Sequence, residues 1–277
     1  MFNPPVSPVE SSNPVLQILH RVELLGAYVI DSLQYWGKAW MFLWYLIKGM
    51  VTPPFRIRLI LQQIAQIGFH STFVVSLIGI FTGAVLAVQG EYTLSKFGAT
   101  AFTGPAVALS LIRELGPVLT ALMVIGRAGS AITAELGIMK ITEQVDALRS
   151  MAVDPMKYLM VPRFVAGLIA MPLLSAIFIA VGIFGGYLVA VGVLGLSSGT
   201  FVSQMVSAVG TVDVYSGFIK SVVFGFIFGW VSCFKGYTCG FGAIGVNKAT
   251  TQSVVTSSVC ILVTDYFLTS ILTRVFL

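Results

Sequence analysis

Of the chain's 277 residues, 57% are hydrophobic and only 10% charged, against about 25% charged in a typical soluble domain. With a mean hydropathy of +0.94, no soluble fold of this size hides so much apolar surface, which leaves lipid as the solvent. The formal net charge of +5 then points to basic loops facing the cytoplasm and anionic lipid, and not to nucleic acid.

The opening MFNPPVSPVESSNP is Pro- and Ser-rich and lacks the basic n-region of a signal peptide; residues 1–13 read as a disordered tail. Residues 14–58 read as an interfacial amphipathic helical region. Apolar residues recur there at helical spacing, but His20, Arg21, Glu23, Asp31, Lys38 and Lys48 interrupt any span. Trp36, Trp40 and Trp44 share one face, and tryptophan prefers the headgroup level. A span over Ala39–Val51 is the alternative, but it is too short to cross a core of roughly 30 Å. One interfacial helix or two both fit.

Residues 59–277 hold five apolar stretches of spanning length, at about 68–92, 105–126, 162–194, 215–236 and 253–275. Gly79 and Gly83 in the first, and Gly225 and Gly229 in the fourth, have the small-xxx-small spacing of close helix packing, unless they are incidental. From Phe164 to Val212 there is no charge, which is too long for one span. A third helix followed by a loop and a short dipping or interfacial segment fits, and a re-entrant hairpin is the alternative. Lys and Arg collect in the N-terminal region and in the 127–163 and 235–252 loops, against Lys96 and Arg274 on the other side. The bias puts the N-terminus in the cytoplasm and, after five spans, the C-terminus outside. The fold class is an all-α integral membrane protein.

Charges inside spans are costly and mark either function or a buried pairing. Arg113 and Glu114 interrupt the second span, Lys220 lies near the start of the fourth, and Asp265 near the middle of the fifth. Adjacent residues project about 100° apart on a helix, so Arg113 and Glu114 face different ways. One faces a cavity while the other pairs with a neighbouring helix; the plainer alternative is a buried pairing with Lys220 or Asp265 that only fixes helix register. Groups of both signs around a cavity suit an amphipathic molecule with a charged head.

Residues 142–154, TEQVDALRSMAVD, read as a short amphipathic helix on the basic side. Thr142 is its expected N-cap, and Glu143 and Asp146 put negative charge in the first turn. Val145, Leu148 and Met151 share a face, Arg149 lies among them, and Asp154-Pro155 caps the next helix. Such a helix suits docking into a soluble partner; an ordinary solvated loop helix is the alternative. Gly240–Gly245, GFGAIG, matches a dinucleotide fingerprint but lies between two spans, without the strand that motif needs. Neither a phosphate-binding P-loop nor a hydrolase or zinc-protease motif occurs, so the chain is not expected to hydrolyse ATP or to be an enzyme. Cys233, Cys239 and Cys260 form no CxxC pair, and His20 and His70 stand far apart, so no metal site is expected.

RELGPVLTALMVIGRAGSAITAELGIMKITEQVDALRSMAVDP, Arg113 to Pro155, closely resembles the MlaE family, the permease subunits of lipid-transporting ABC systems that work with MCE proteins. The likeness continues through PRFVAGLIAMPLL, GIFGG, IKSVVFGF and GVNKATTQSVV and covers roughly Arg56 to Leu277. The resemblance implies five transmembrane helices behind an interfacial helix, in a Gram-negative-type inner membrane. It also implies a second copy of the chain, an MlaF-like ATPase that binds ATP-Mg, an MlaD-like MCE hexamer and an MlaB-like STAS protein. The implied substrate is a glycerophospholipid moved between inner and outer membranes, which maintains outer-membrane lipid asymmetry, with no cofactor on this chain. Arg113, Glu114, Lys220 and Asp265 match charges near the family's lipid pocket. Thr142, Glu143, Asp146, Leu148, Arg149, Met151 and Asp154 fall on its coupling helix. A proton- or ion-coupled secondary transporter and an intramembrane lipid-modifying enzyme are the competing classes. The absence of evident inverted repeats weighs against the first, and the absence of a nucleophile motif against the second.

Overall fold

The computed structural model describes residues 14–53 and 56–276; the expected disordered tail over residues 1–13 lies outside the described residues. Every regular element among the described residues is helical. The chain divides into two units, Met1–Tyr45 and Leu46–Leu277. Over its described residues the first unit is a single helix, part of α1 (Pro14–Val51), so one helix and not two covers residues 14–50. Trp36, Trp40 and Trp44 are all exposed along it, as suits rings at the headgroup level.

The second unit holds five helices long and apolar enough to cross a membrane: Ile57–Ser95, Thr100–Ile141, Met156–Gly192, Thr211–Tyr237 and Gly242–Val275. The first is α2 (Ile57–Ser95). The next is a rod built from α3 (Thr103–Ser110), α4 (Gly116–Val124) and α5 (Ser130–Ile141), joined by π-helical turns at Leu111–Leu115 and Ile125–Gly129. A short α6 (Gln144–Ser150) leads through another π-helical turn into α7 (Val161–Gly192). Then come α8 (Ser198–Ala208), α9 (Thr211–Tyr237) and α10 (Gly242–Phe276). Pro117 and Pro162 follow the π-helical turns Leu111–Leu115 and Met156–Met160, in the first turns of α4 and α7.

These helices outrun the apolar stretches that announce them. Hydropathy ends the second span near residue 126, yet the rod continues to Ile141. Arg127 can stay inside it because the first span satisfies its guanidinium. Its Nε donates to Ser71 Oγ at 2.8 Å, and its Nη2 donates to the carbonyls of Gln66 and Ile67 at 3.0 and 2.9 Å. Hydropathy marks where hydrocarbon is met; it does not mark where the helix stops.

The glycine stripe of the first span is a packing device. A Cβ on Gly83 would collide with the Gly182 carbonyl of α7, and one on Gly186 would lie 3.1 Å from Gly83 O. Backbones therefore approach without side chains between them, which maximises dispersion where lipid offers no hydrophobic drive. The pairings Gly79 with Phe178 and Gly83 with Gly182 advance together, so α2 and α7 run parallel. The uncharged stretch after α7 folds back as α8, whose Phe201 carbonyl would lie 2.6 Å from a Cβ on Gly104 of α3. At the centre stands α9, with 67% of its most apolar window buried, against 11% for α10.

Candidate functional site

The charged pair of the second span lies in the π-helical turn Leu111–Leu115. Such turns often mark functional positions, because the extra residue re-aims neighbouring side chains. Here α9 comes close: a Cβ on Gly217 would collide with the Ile112 carbonyl. That approach brings one residue on either side of Gly217 within reach of the turn.

Glu114 meets Lys220, which lies one turn beyond Gly217 on α9. Lys220 Nζ donates to Glu114 Oε2 at 2.5 Å and to Thr269 Oγ1 at 2.7 Å, and stands 3.0 Å from Asp265 Oδ1. Thr269 Oγ1 lies 3.2 Å from Glu114 Oε2 and also donates back to the Asp265 carbonyl at 2.8 Å. Asp265 and Thr269 are one turn apart on α10, so both reach the same ammonium. Lys220 is almost sealed, its side chain 2% exposed, while Glu114 is 40% exposed and Asp265 20%. An ammonium has three donors, and this one faces three acceptors. The cluster therefore binds three spans together and opens to its surroundings through Glu114.

Arg113 turns the other way. Its Nη1 lies 3.6 Å from Oδ1 of Asp213, two residues into α9. Asp213 Oδ2 accepts the Gly210 N–H at 2.9 Å, closing the N-terminus of α9. The four charges singled out in sequence thus do not form one cluster: three meet, and Arg113 stands apart with a partner the sequence reading missed. The signal was available, since Asp213 and Lys220 are seven residues apart, two helical turns along one face.

A polar belt nearer the α6 end also escaped the sequence reading. Glu135 Oε1 accepts Gln66 Nε2 at 2.9 Å, and its Oε2 accepts Arg163 Nη2 at 3.2 Å. Arg163 also donates to the Leu159 carbonyl at 2.9 Å. One carboxylate on α5 thereby ties α2 to α7.

The 142–154 segment differs from expectation at its start. Thr142 closes α5, donating its hydroxyl to the Ile138 carbonyl at 2.9 Å, and Glu143, at φ 58°, stands as the left-handed N-cap of α6. Glycine-free, TEQ still makes this turn, with Glu143 taking the left-handed conformation. Val145 is buried, Leu148 half-buried and Met151 72% exposed, so the apolar knob is Met151. Arg149 links α6 to the end of α9, with Nη1 on Asp146 Oδ1 at 2.9 Å and Nη2 donating to Tyr237 Oη at 2.6 Å. Ala152, at φ 58°, ends the helix: its N–H bonds Arg149 O at 3.0 Å, and the Val153 N–H bonds Leu148 O at 2.9 Å. Asp154 then accepts the Met156 N–H at 2.9 Å, the expected cap of the next helix.

GFGAIG is the turn that opens α10, with Gly242 at φ 74°. It follows a helix, so the strand of a nucleotide-binding unit is missing. Cys239, beside it, is buried; burial pushes its thiol pKa up, and the nearby Lys140 opposes this. That suits a filler and not a nucleophile. An apolar groove of about 440 Å³ runs between α5 and α10, lined by Ile138, Ile141, Val246 and their neighbours. None of the four charged residues lines it.

Comparison with known proteins agrees with this architecture. The family model described as permease MlaE matches residues 60–271. The intermembrane phospholipid transport system permease protein MlaE of Haemophilus influenzae is 44% identical over 256 residues, 92% of this chain and 98% of that protein. A probable ABC transporter permease protein of Rickettsia typhi is 43% identical over 258 residues, 93% of this chain and all of that one. The chloroplastic protein TRIGALACTOSYLDIACYLGLYCEROL 1 of Arabidopsis thaliana is 38% identical over 210 residues, 76% of this chain and 60% of that one. Five apolar spans and a family match across nearly all of them lead to one assignment: the chain belongs to the MlaE permease family.

Proposed function

We propose that this chain is the membrane-embedded permease subunit of an ABC system that moves glycerophospholipids between the inner and outer membranes and so maintains outer-membrane lipid asymmetry. The observation that carries the reading is the 44% identity, over almost the full length of both chains, to a phospholipid transport permease. The site geometry supports it: a charged cluster inside the spans opens at Glu114, and an arginine stands close by.

The chain itself performs no covalent step. ATP-Mg binds a separate MlaF-like ATPase, with an MlaB-like STAS protein beside it. The ATPase receives α6, whose Met151 knob is framed by Glu143, Asp146, Arg149 and Asp154. From Leu115 to Ile141 the rod is roughly 40 Å long at 1.5 Å per residue, so displacement of α6 reaches the charged turn through continuous helix. The Glu135 belt makes α2 and α7 move with it. Two copies pair in the inner membrane, with cytoplasmic N-termini and periplasmic C-termini, below an MlaD-like MCE hexamer. Arg113, Glu114, Lys220 and Asp265 form the lipid pocket: Arg113 and Glu114 face the headgroup, Lys220 and Asp265 hold the spans around it, and the apolar walls of the spans hold the chains. The test is reconstitution of the complex in proteoliposomes with fluorescent phospholipid and ATP. ATP-dependent transfer that falls in E114A and R113A is expected; ATP turnover with no lipid transfer in the wild type would refute the reading.

A further inference from the structure

The two cations of the site differ in what they have left to offer. Lys220 is sealed and held on three sides: it donates to Glu114 and Thr269, pairs with Asp265 Oδ1 at 3.0 Å and is 2% exposed. A headgroup reaching it would have to displace two carboxylates in a low-dielectric setting, where breaking a buried charge network is strongly unfavourable. Arg113 is the opposite case. Its side chain is 32% exposed, and its one ionic contact, at 3.6 Å, is longer than a hydrogen bond. The guanidinium fork, which matches phosphate oxygens in a bidentate way, is therefore still available.

Its counter-ion is built to let go. Asp213 uses one oxygen on Arg113 and the other on the Gly210 N–H at 2.9 Å. It sits in the first turn of a 27-residue helix, where the helix dipole favours negative charge. When Arg113 leaves, the carboxylate keeps its cap and its dipole, so separation costs little.

Resting on the transport reading above, we infer that Asp213 is a positioning residue that competes with the phosphodiester of a glycerophospholipid for the Arg113 guanidinium. Asp213 aims the fork at the outer end of α9, the phosphodiester takes it over, and Asp213 stays behind as the helix cap. Lys220 holds the spans together and does not touch the phosphate. Asp213 therefore sets lipid affinity from above: it weakens binding by the strength of its own pair and keeps Arg113 from locking onto its cargo.

The test uses the full complex in detergent, titrated with an acyl-labelled fluorescent phosphatidylethanolamine. D213N keeps a capping oxygen for Gly210 and removes the charge; D213S removes the charge with a shorter side chain. The pair is long at 3.6 Å and only partly shielded, so each variant is expected to bind the lipid roughly three- to fivefold more tightly than wild type. R113Q binds more weakly, and R113Q/D213N matches R113Q, because Asp213 acts only through Arg113. D213E, which restores the charge, returns affinity toward wild type. If D213N fails to assemble, D213S decides. Unchanged or weaker binding in an assembled D213N or D213S, or additive effects in the double variant, would overturn the inference. Inorganic phosphate leaves the curves in place; phosphate that displaces the probe would overturn the lipid as the ligand. A wild-type complex that binds no lipid would fail the transport reading itself, which separates the two failures.

Discussion

Replacing Lys220 with methionine removes the one cation between Glu114 and Asp265. Methionine is close in length and fills the same space, so packing along α9 is largely kept. Two carboxylates then face each other across three spans, and Thr269 loses its donor. Deleting one partner of a buried ionic network typically costs about 3–5 kcal/mol. Glu114 is 40% exposed and recovers some solvation, whereas Asp265 at 20% recovers less, which places the cost near the lower end, about 3 kcal/mol. At about 2–4 °C per kcal/mol for chains of comparable size, the melting temperature falls by roughly 6–12 °C. A thiol-reactive dye reads this in a Cys260→Ser background, because Cys233 and Cys239 are buried and become reactive on unfolding, whereas Cys260 is partly exposed. The triple variant K220M/E114Q/D265N carries no charge and is expected to recover most of the loss, since an apolar replacement of a whole buried network is often neutral. K220M that melts with wild type, or a triple variant that melts below K220M, would refute the bridging role.

Further outcomes follow from other parts of the molecule. Gly83→Val puts a branched side chain into the Gly182 carbonyl; since ordinary overpacking already costs about 1–3 kcal/mol, little folded protein should survive size-exclusion chromatography, and a normal yield would contradict the parallel α2–α7 contact. Ala152→Gly relieves a left-handed alanine at φ 58° and is expected to stabilise the end of α6 by up to about 1 kcal/mol; a lower melting temperature would count against that turn. Asp146→Lys breaks an exposed ion pair with Arg149 worth only about 0.2–1 kcal/mol, so the permease should stay folded while copurification with the ATPase drops. Full copurification would remove α6 from the docking surface.

Legibility in the sequence followed the physics of each feature. The five spans were plain because hydrocarbon demands long apolar runs, and the glycine stripe of the first span because close packing demands small residues at fixed spacing. Glu114, Lys220 and Asp265 were visible through their cost in lipid. The pairing of Glu114 with Lys220 was open only as the plainer alternative, since it depends on how α9 settles against the π-helical turn at Gly217, which no local pattern encodes. Asp213 was overlooked because a charge at a helix end looks like an ordinary cap, and its second oxygen became informative only with Arg113 beside it. The rod beyond Gly126 was hidden for the reverse reason. Arg127 and Glu135 read as loop charges, yet partners on α2 and α7 let a helix carry them. Thr142 was misplaced by the usual preference for threonine at N-caps; with Glu143 left-handed, it finishes one helix and does not begin the next.

The most direct measurement is the position of phospholipid bound to the assembled complex, located by phosphate density and confirmed by photo-crosslinking from residues of the second and fourth spans. The account predicts a headgroup phosphate at the Arg113 guanidinium, with Lys220 still bridging Glu114 and Asp265 beneath it. A lipid whose phosphate lies away from Arg113, or displaces Lys220 from Glu114 and Asp265, would contradict this.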